Sequence, residues 1–91
     1  MTPLQELNHR ERQVLIHAYL YYKLNKNLVG DDLYDHFSFD LDRLIKKYPE
    51  EFKKSVFYED FKGFNPSSGY YLNYDQPWVR DKAFWLLKMT K

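Results

Sequence analysis

The stretch DDLYDHFSFDLDRLIKKYP, residues 31–49, decides the fold. Leu33, Phe37, Leu41, Leu44, Ile45 and Tyr48 recur at steps of four, four, three, one and three. That is the spacing of one apolar face on an α-helix. Asp31 is a natural N-cap, and Asp32 suits the positive end of the helix dipole. Pro49 forces its predecessor away from α geometry, so the helix is predicted over 31–48. Upstream, Thr2, Pro3 and Gln5 form a helix-start signature. Leu4, Leu7, Val14, Ala18, Tyr21 and Tyr22 then share a stripe, which predicts a first helix over about 3–25. Asn25-Lys26-Asn27-Leu28-Val29-Gly30 between the two reads as a short turn. Two long helices with a short connection make an antiparallel αα-hairpin.

Downstream, Pro49 opens a short helix through Glu50, Glu51 and Phe52. Ser55 is expected to cap another short turn carrying Phe57, Tyr58 and Phe61, closed by Gly63. Gly63, Pro66, Ser67, Ser68 and Gly69 mark a loop, and Tyr70, Tyr71, Leu72 and Tyr74 read as a short extended piece. Asp75 is expected to cap a last helix, with Pro77 near its start. Val79, Ala83, Leu86 and Leu87 form its buried face, beside Trp78, Phe84 and Trp85. The expected fold is all-α: a helical hairpin (about 3–25 and 31–48) capped by short helices and a C-terminal helix.

The chain has 91 residues, which bounds it to one domain, residues 1–91. Hydrophobic residues make up 44% and aromatics 20%, with nine Tyr, seven Phe and two Trp. That much apolar surface excludes a disordered tail. The net charge is +1, whereas a protein tracking phosphates across a wide face carries a clear basic excess. Nucleic-acid binding by this chain alone is therefore disfavoured. Cysteine is absent, which excludes disulfides and thiolate metal sites. The histidines His9, His17 and His36 are not spaced for a metal, so none is expected. No apolar run reaches membrane-span length and no signal-peptide pattern opens the chain, so a cytoplasmic protein without membrane contact is expected.

Tyr21-Tyr22 near the end of the first helix, and Asp31, Tyr34 and Asp35 at the start of the second, form one cluster. The last three are spaced three and four apart and share a face, and the hairpin folds that face beside Tyr21-Tyr22. Phenol rings offer stacking faces for a planar, electron-poor group, best of all a cation. Carboxylates accept hydrogen bonds from ribose hydroxyls or an amide. A nicotinamide nucleoside satisfies both requirements.

His17 to Phe52, roughly 36 residues and about 40% of the chain, resembles the N-terminal Ia domain of bacterial NAD-dependent DNA ligases. The resemblance rests on Tyr21-Tyr22, Asp31, Tyr34-Asp35, Asp40-Leu41, Leu44 and Tyr48-Pro49-Glu50, without a gap. It implies a hairpin that folds over the nicotinamide mononucleotide (NMN) half of NAD. It further implies that Tyr21 and Tyr34 flank the nicotinamide, that Tyr22 and Asp31 face the ribose and phosphate, and that Asp35 hydrogen-bonds the nicotinamide or its ribose. A bacterial or bacteriophage source is implied too. The chain departs from the ligases in having no K-x-D-G nucleophile motif and no room for an adenylation domain. A non-catalytic accessory domain is expected, with residues 55–91 as an aromatic-rich cap.

Other readings stand beside this one. Tyrosines at the mouth of a hairpin also simply pack, and Asp31 has a complete structural role as an N-cap. The hairpin would then be a scaffold, and the chain a protein-binding inhibitor or modulator. Its partner would be a host ligase, a replication factor or a defence nuclease such as a CRISPR effector, docked on the aromatic segment 57–78. Asp31 and Asp35 make no hydrolytic pair, because nothing in the pattern desolvates one of them. Lys46-Lys47 and Lys53-Lys54 read as a solvated face.

Overall fold

The computed structural model describes residues 2–24, 30–66 and 72–89, the side chains of residues 30–33 excepted. The architecture is all-α. The elements in order are α1 (Pro3–Ala18), a π-helical turn (Tyr19–Lys23), α2 (Gly30–Lys47), α3 (Pro49–Lys53), α4 (Tyr58–Phe61) and α5 (Pro77–Met89). Residues 25–29 of the expected turn, residues 67–71 of the expected loop and extended piece, and the side chains of Asp31, Asp32 and Leu33 lie outside the described residues.

α1 starts as its sequence dictates. Thr2 Oγ1 accepts from the Gln5 N–H at 3.2 Å, and the Thr2 N–H donates to Gln5 Oε1 at 3.0 Å. This reciprocal pair satisfies two donors that a helix start otherwise leaves without partners. Pro3 follows at the first helical position, where its missing N–H costs nothing. The inward face is Leu7, Glu11, Val14, Leu15 and Ala18, at helical spacing.

α1 and α2 run antiparallel. Tyr21 meets Tyr34, His17 meets Phe37 and Arg10 meets Asp40, so partner numbers fall on one helix as they rise on the other. Phe37, Ser38, Leu41 and Leu44 are the buried face of α2, with Ile45 and Tyr48 half-buried beside them. α2 begins at Gly30, so Asp31 stands inside its first turn rather than at its cap. Lys47 ends the helix, Tyr48 leaves α geometry (φ −128°, ψ 62°), and Pro49 opens α3 as expected.

Asp40 fastens the two helices. Arg10 Nε donates to its Oδ2 at 2.8 Å, and Arg43 donates to its Oδ1 from Nε and Nη2. Partial burial works to raise the Asp40 pKa, but the hydrogen bonds from Arg43 and Arg10 and their charges outweigh it and hold it below the ordinary value. Burial lowers the His17 pKa, which favours the neutral imidazole beside Phe37.

Further local expectations are corrected. The first helix is not regular to residue 25: it widens into a π turn, with the Leu24 N–H bonded to the Tyr19 carbonyl at 3.2 Å. An i→i+5 turn holds an extra residue and rotates the inward direction. Tyr19 and Leu20 are therefore buried, and Tyr21 and Tyr22 turn outward instead of continuing the apolar stripe. Ser55 does not cap α4, which begins at Tyr58 without a side-chain cap; its hydroxyl turns inward onto Glu11 and the Phe52 carbonyl. Asp75 does not cap α5, since Gln76 directly precedes Pro77, and Asp75 pairs with Lys23.

Gly63 closes α4 with φ +76°, a conformation a side chain would strain. Leu72–Tyr74, the described part of the expected extended piece, instead folds through a tight bend, Tyr74 N–H to Leu72 O, and a second bend follows, Gln76 N–H to Tyr74 O. One continuous core joins every element: Leu7, Val14 and Leu15 from α1, Leu41 and Leu44 from α2, Phe52, Phe61, Leu72, and Val79 and Ala83 from α5. The described aromatics of 57–78 are in or against this core, not on an exposed patch. The exposed large apolar residues are Tyr21, Tyr22, Phe39, Val56, Phe84, Trp85 and Met89. Among the described residues no helix is long and apolar enough to cross a membrane.

Candidate functional site

The π turn is what makes the site. It ends α1 beside the start of α2 and turns two tyrosines out of the core. Their rings join a ladder of four. Tyr34 of α2 stacks on Tyr21, with centroids 6.2 Å apart and planes 15° from parallel. Tyr21 meets Tyr22 edge-on at 4.9 Å. Tyr22 stacks on Tyr74 at 6.0 Å and 18°. These are the offset-stacked and edge-to-face geometries that aromatic pairs favour at about 4.5–7 Å. Each ring is therefore braced by its neighbour, and the two turned-out rings stay partly exposed: Tyr21 is 42% exposed and Tyr22 37%.

Behind the ladder lies Tyr19, buried, with its ring edge-on to Tyr74 at 6.2 Å and to Phe84 of α5 at 6.4 Å. It anchors the platform to the core and the C-terminal helix. A charged pair flanks the Tyr22–Tyr74 end, where Lys23 Nζ lies 3.7 Å from Asp75 Oδ2 and both side chains are more than half exposed. At the other end Asp35 follows Tyr34, is exposed, and makes no hydrogen bond or ion pair among the described residues.

Of the five residues singled out in the sequence, Tyr21, Tyr22 and Tyr34 come together and Asp35 stands beside Tyr34 with an open carboxylate. The Asp31 side chain lies outside the described residues. Sequence reasoning missed Tyr74, Lys23 and Asp75. The tyrosines around residue 74 stood out in composition, but their partner could not be read, because the contact joins residues 52 positions apart. The arrangement is suited to stacking a planar cationic ring on the phenols. A carboxylate is set to accept hydrogen bonds at one end, and an ammonium is set to meet an anion at the other.

Other surface features are less suited to a ligand. The cleft lined by Glu6, His9, Arg10, Asp40, Arg43 and Leu44 holds two guanidinium groups, but both are bonded to Asp40. Among the described residues no group of three or more metal-ligating side chains is placed to hold a cation. No family model, curated protein or solved structure matches this chain.

Proposed function

We propose that the chain is a non-catalytic, ligase-Ia-like domain that binds NMN, or the NMN half of NAD, weakly on the tyrosine ladder. The observation that carries this reading is the partial exposure of the Tyr21 and Tyr22 rings, braced by Tyr34 and Tyr74, next to the open carboxylate of Asp35. A buried, closed cluster would have favoured packing alone. The pyridinium ring of an oxidised nicotinamide carries a positive charge. Stacked on a phenol face it gains roughly 0.5–1 kcal/mol at an exposed site, beyond its area burial. Asp35 accepts from the carboxamide or ribose hydroxyls. Lys23 exchanges its pairing with Asp75 for the nucleotide phosphate. A platform open on one side buries only part of such a ligand, which is consistent with weak binding.

The test is an NMR titration with NMN and NAD, repeated with the Tyr34→Ala, Asp35→Ala double variant. Saturable shifts are expected at residues 19–24, 34–35 and 74, lost in the double variant. The reduced form of NMN has no ring charge and should bind more weakly than the oxidised form. The reading fails if no shift appears at millimolar ligand, or if reduced and oxidised forms bind alike.

A protein-binding reading rests on a different surface. Trp78, Lys82, Trp85 and Met89 share one face of α5. Trp85 and Met89 are more than half exposed, and Lys82 Nζ lies 5.6 Å from the Trp85 ring centroid. If this face were the functional one, Trp85→Ala would abolish partner binding while Tyr21→Ala would not.

A further inference from the structure

Glu11 is fully buried, on the inward face of α1, and the ladder makes no use of it. It faces the segment that links α3 to α4. Ser55 Oγ lies 2.8 Å from Glu11 Oε2 and 2.7 Å from the Phe52 carbonyl oxygen. The Phe57 N–H donates to Glu11 Oε1 at 3.4 Å. Two neighbours on α1 hold the same segment. Asn8 Oδ1 accepts from the Val56 N–H at 3.0 Å, and the Arg12 guanidinium lies 5.9 Å from the Phe57 ring centroid. The Phe57 ring stacks in turn on Trp78 of α5 at 5.1 Å.

Counting hydrogens gives the protonation state this geometry requires. Ser55 has one hydroxyl proton and two oxygens at hydrogen-bond distance. The Phe52 carbonyl can only accept. If Glu11 is a carboxylate it too can only accept, and one of the two short contacts sets lone pair against lone pair. If Glu11 is the acid, its O–H donates to Ser55 Oγ and the Ser55 O–H donates to Phe52 O, so both contacts are hydrogen bonds. We propose that Glu11 is a proton-operated latch: its acid form fastens residues 55–61 onto α1, and its carboxylate form lets that segment open.

The electrostatics agree. Burial pushes the Glu11 pKa up to about 7, against the hydrogen bonds with Ser55 and the Phe57 N–H. Asp60 of α4 adds a like charge, and Arg12 of α1 opposes it weakly. The closed form has the higher pKa. Its extra stability is therefore complete below about pH 4.5, declines as pH rises through 7, and is gone above that.

The experiment follows the Glu11 carboxyl carbon by NMR from pH 4 to 9, together with amide exchange of residues 55–61. Glu11 should titrate near neutrality, well above the ordinary glutamate value of 4.5. Protection of residues 55–61, corrected for intrinsic exchange, should fall roughly 40-fold between pH 5 and pH 7, as the two pKa values dictate. Glu11→Gln keeps the shape and donates to Ser55 from its amide, so it should hold the segment closed with no such pH dependence. The latch is overturned if Glu11 titrates near the ordinary glutamate value of 4.5, or if Glu11→Gln retains the pH slope. It is equally overturned if the loss of protection is shared by Leu15 and Leu41, which would make it global unfolding. The wild-type titration decides even where the variant does not fold.

Discussion

Phe61→Ala tests whether the segment beyond the hairpin is part of one core. α4 has four residues, too few for its own hydrogen bonds to hold it in water. What holds it is Phe61, 1% exposed, buried in the central cluster with its ring 5.2 Å from Phe64 and edge-on to it. Truncating a buried phenylalanine costs about 3–5 kcal/mol, from the lost transfer energy plus the cavity left behind. A domain of this length has a total stability of roughly 5–14 kcal/mol. The variant should therefore lose roughly a fifth of it or more. Urea unfolding measures this with two probes: fluorescence of Trp78 and Trp85 reports on α5, and far-ultraviolet circular dichroism reports chiefly on α1 and α2. With a slope of about 1.5 kcal/mol/M, the midpoint should fall by about 2–3 M with the slope unchanged. Val56→Ala, at an exposed position two residues before α4, should stay within about 0.5 kcal/mol of wild type. A loss below about 1 kcal/mol in Phe61→Ala would refute the reasoning. So would wild-type transitions in which tryptophan and circular dichroism separate, because hairpin and cap would then be independent.

Two further outcomes concern the ties between elements. Arg10→Ala breaks a half-buried pair between α1 and α2 and should cost about 1 kcal/mol, while Arg43→Ala, an exposed pair within one turn, should cost nothing measurable; thermal unfolding of both compares them. Asp40 has a folded pKa below its ordinary value of 3.8, so its contribution holds above that value and is lost as pH falls through the folded pKa. Asp40→Asn should flatten that acid limb, checked by unfolding at a series of pH values below 5. Thr2→Ala removes the cap oxygen of α1 and should cost about 1 kcal/mol, with the earliest loss of amide protection at Gln5.

Much of the fold is legible from local spacing. The Thr2–Gln5 capping box, the apolar face Phe37–Leu41–Leu44, the stop at Pro49 and the left-handed Gly63 each depend on residues within about one helical turn. Such interactions recur wherever the pattern recurs, so they can be read one segment at a time. The pairing of Tyr21 with Tyr34 was legible for the same reason, because it follows from the hairpin, but the π turn that faces Tyr21 and Tyr22 outward was not. The failures share the opposite cause. Ser55 and Asp75 have the composition of caps, and locally nothing distinguishes them from caps. Ser55 is drawn inward by a carboxyl 44 residues earlier, and Asp75 is drawn to Lys23.

The amino-acid sequence by itself determined the all-α class, the antiparallel hairpin and the three phenols at its end, because short-range periodicity and caps specify helices and a short turn specifies their pairing. The tertiary structure decided the rest. It set the π turn that puts Tyr19 into the core and Tyr21 and Tyr22 outside it. It brought Tyr74 in as the fourth ring, and it buried Glu11 against Ser55. The physical reason is distance along the chain. The Tyr22–Tyr74 and Glu11–Ser55 contacts join residues some tens of positions apart, and their geometry exists only after the chain returns on itself and the core excludes water.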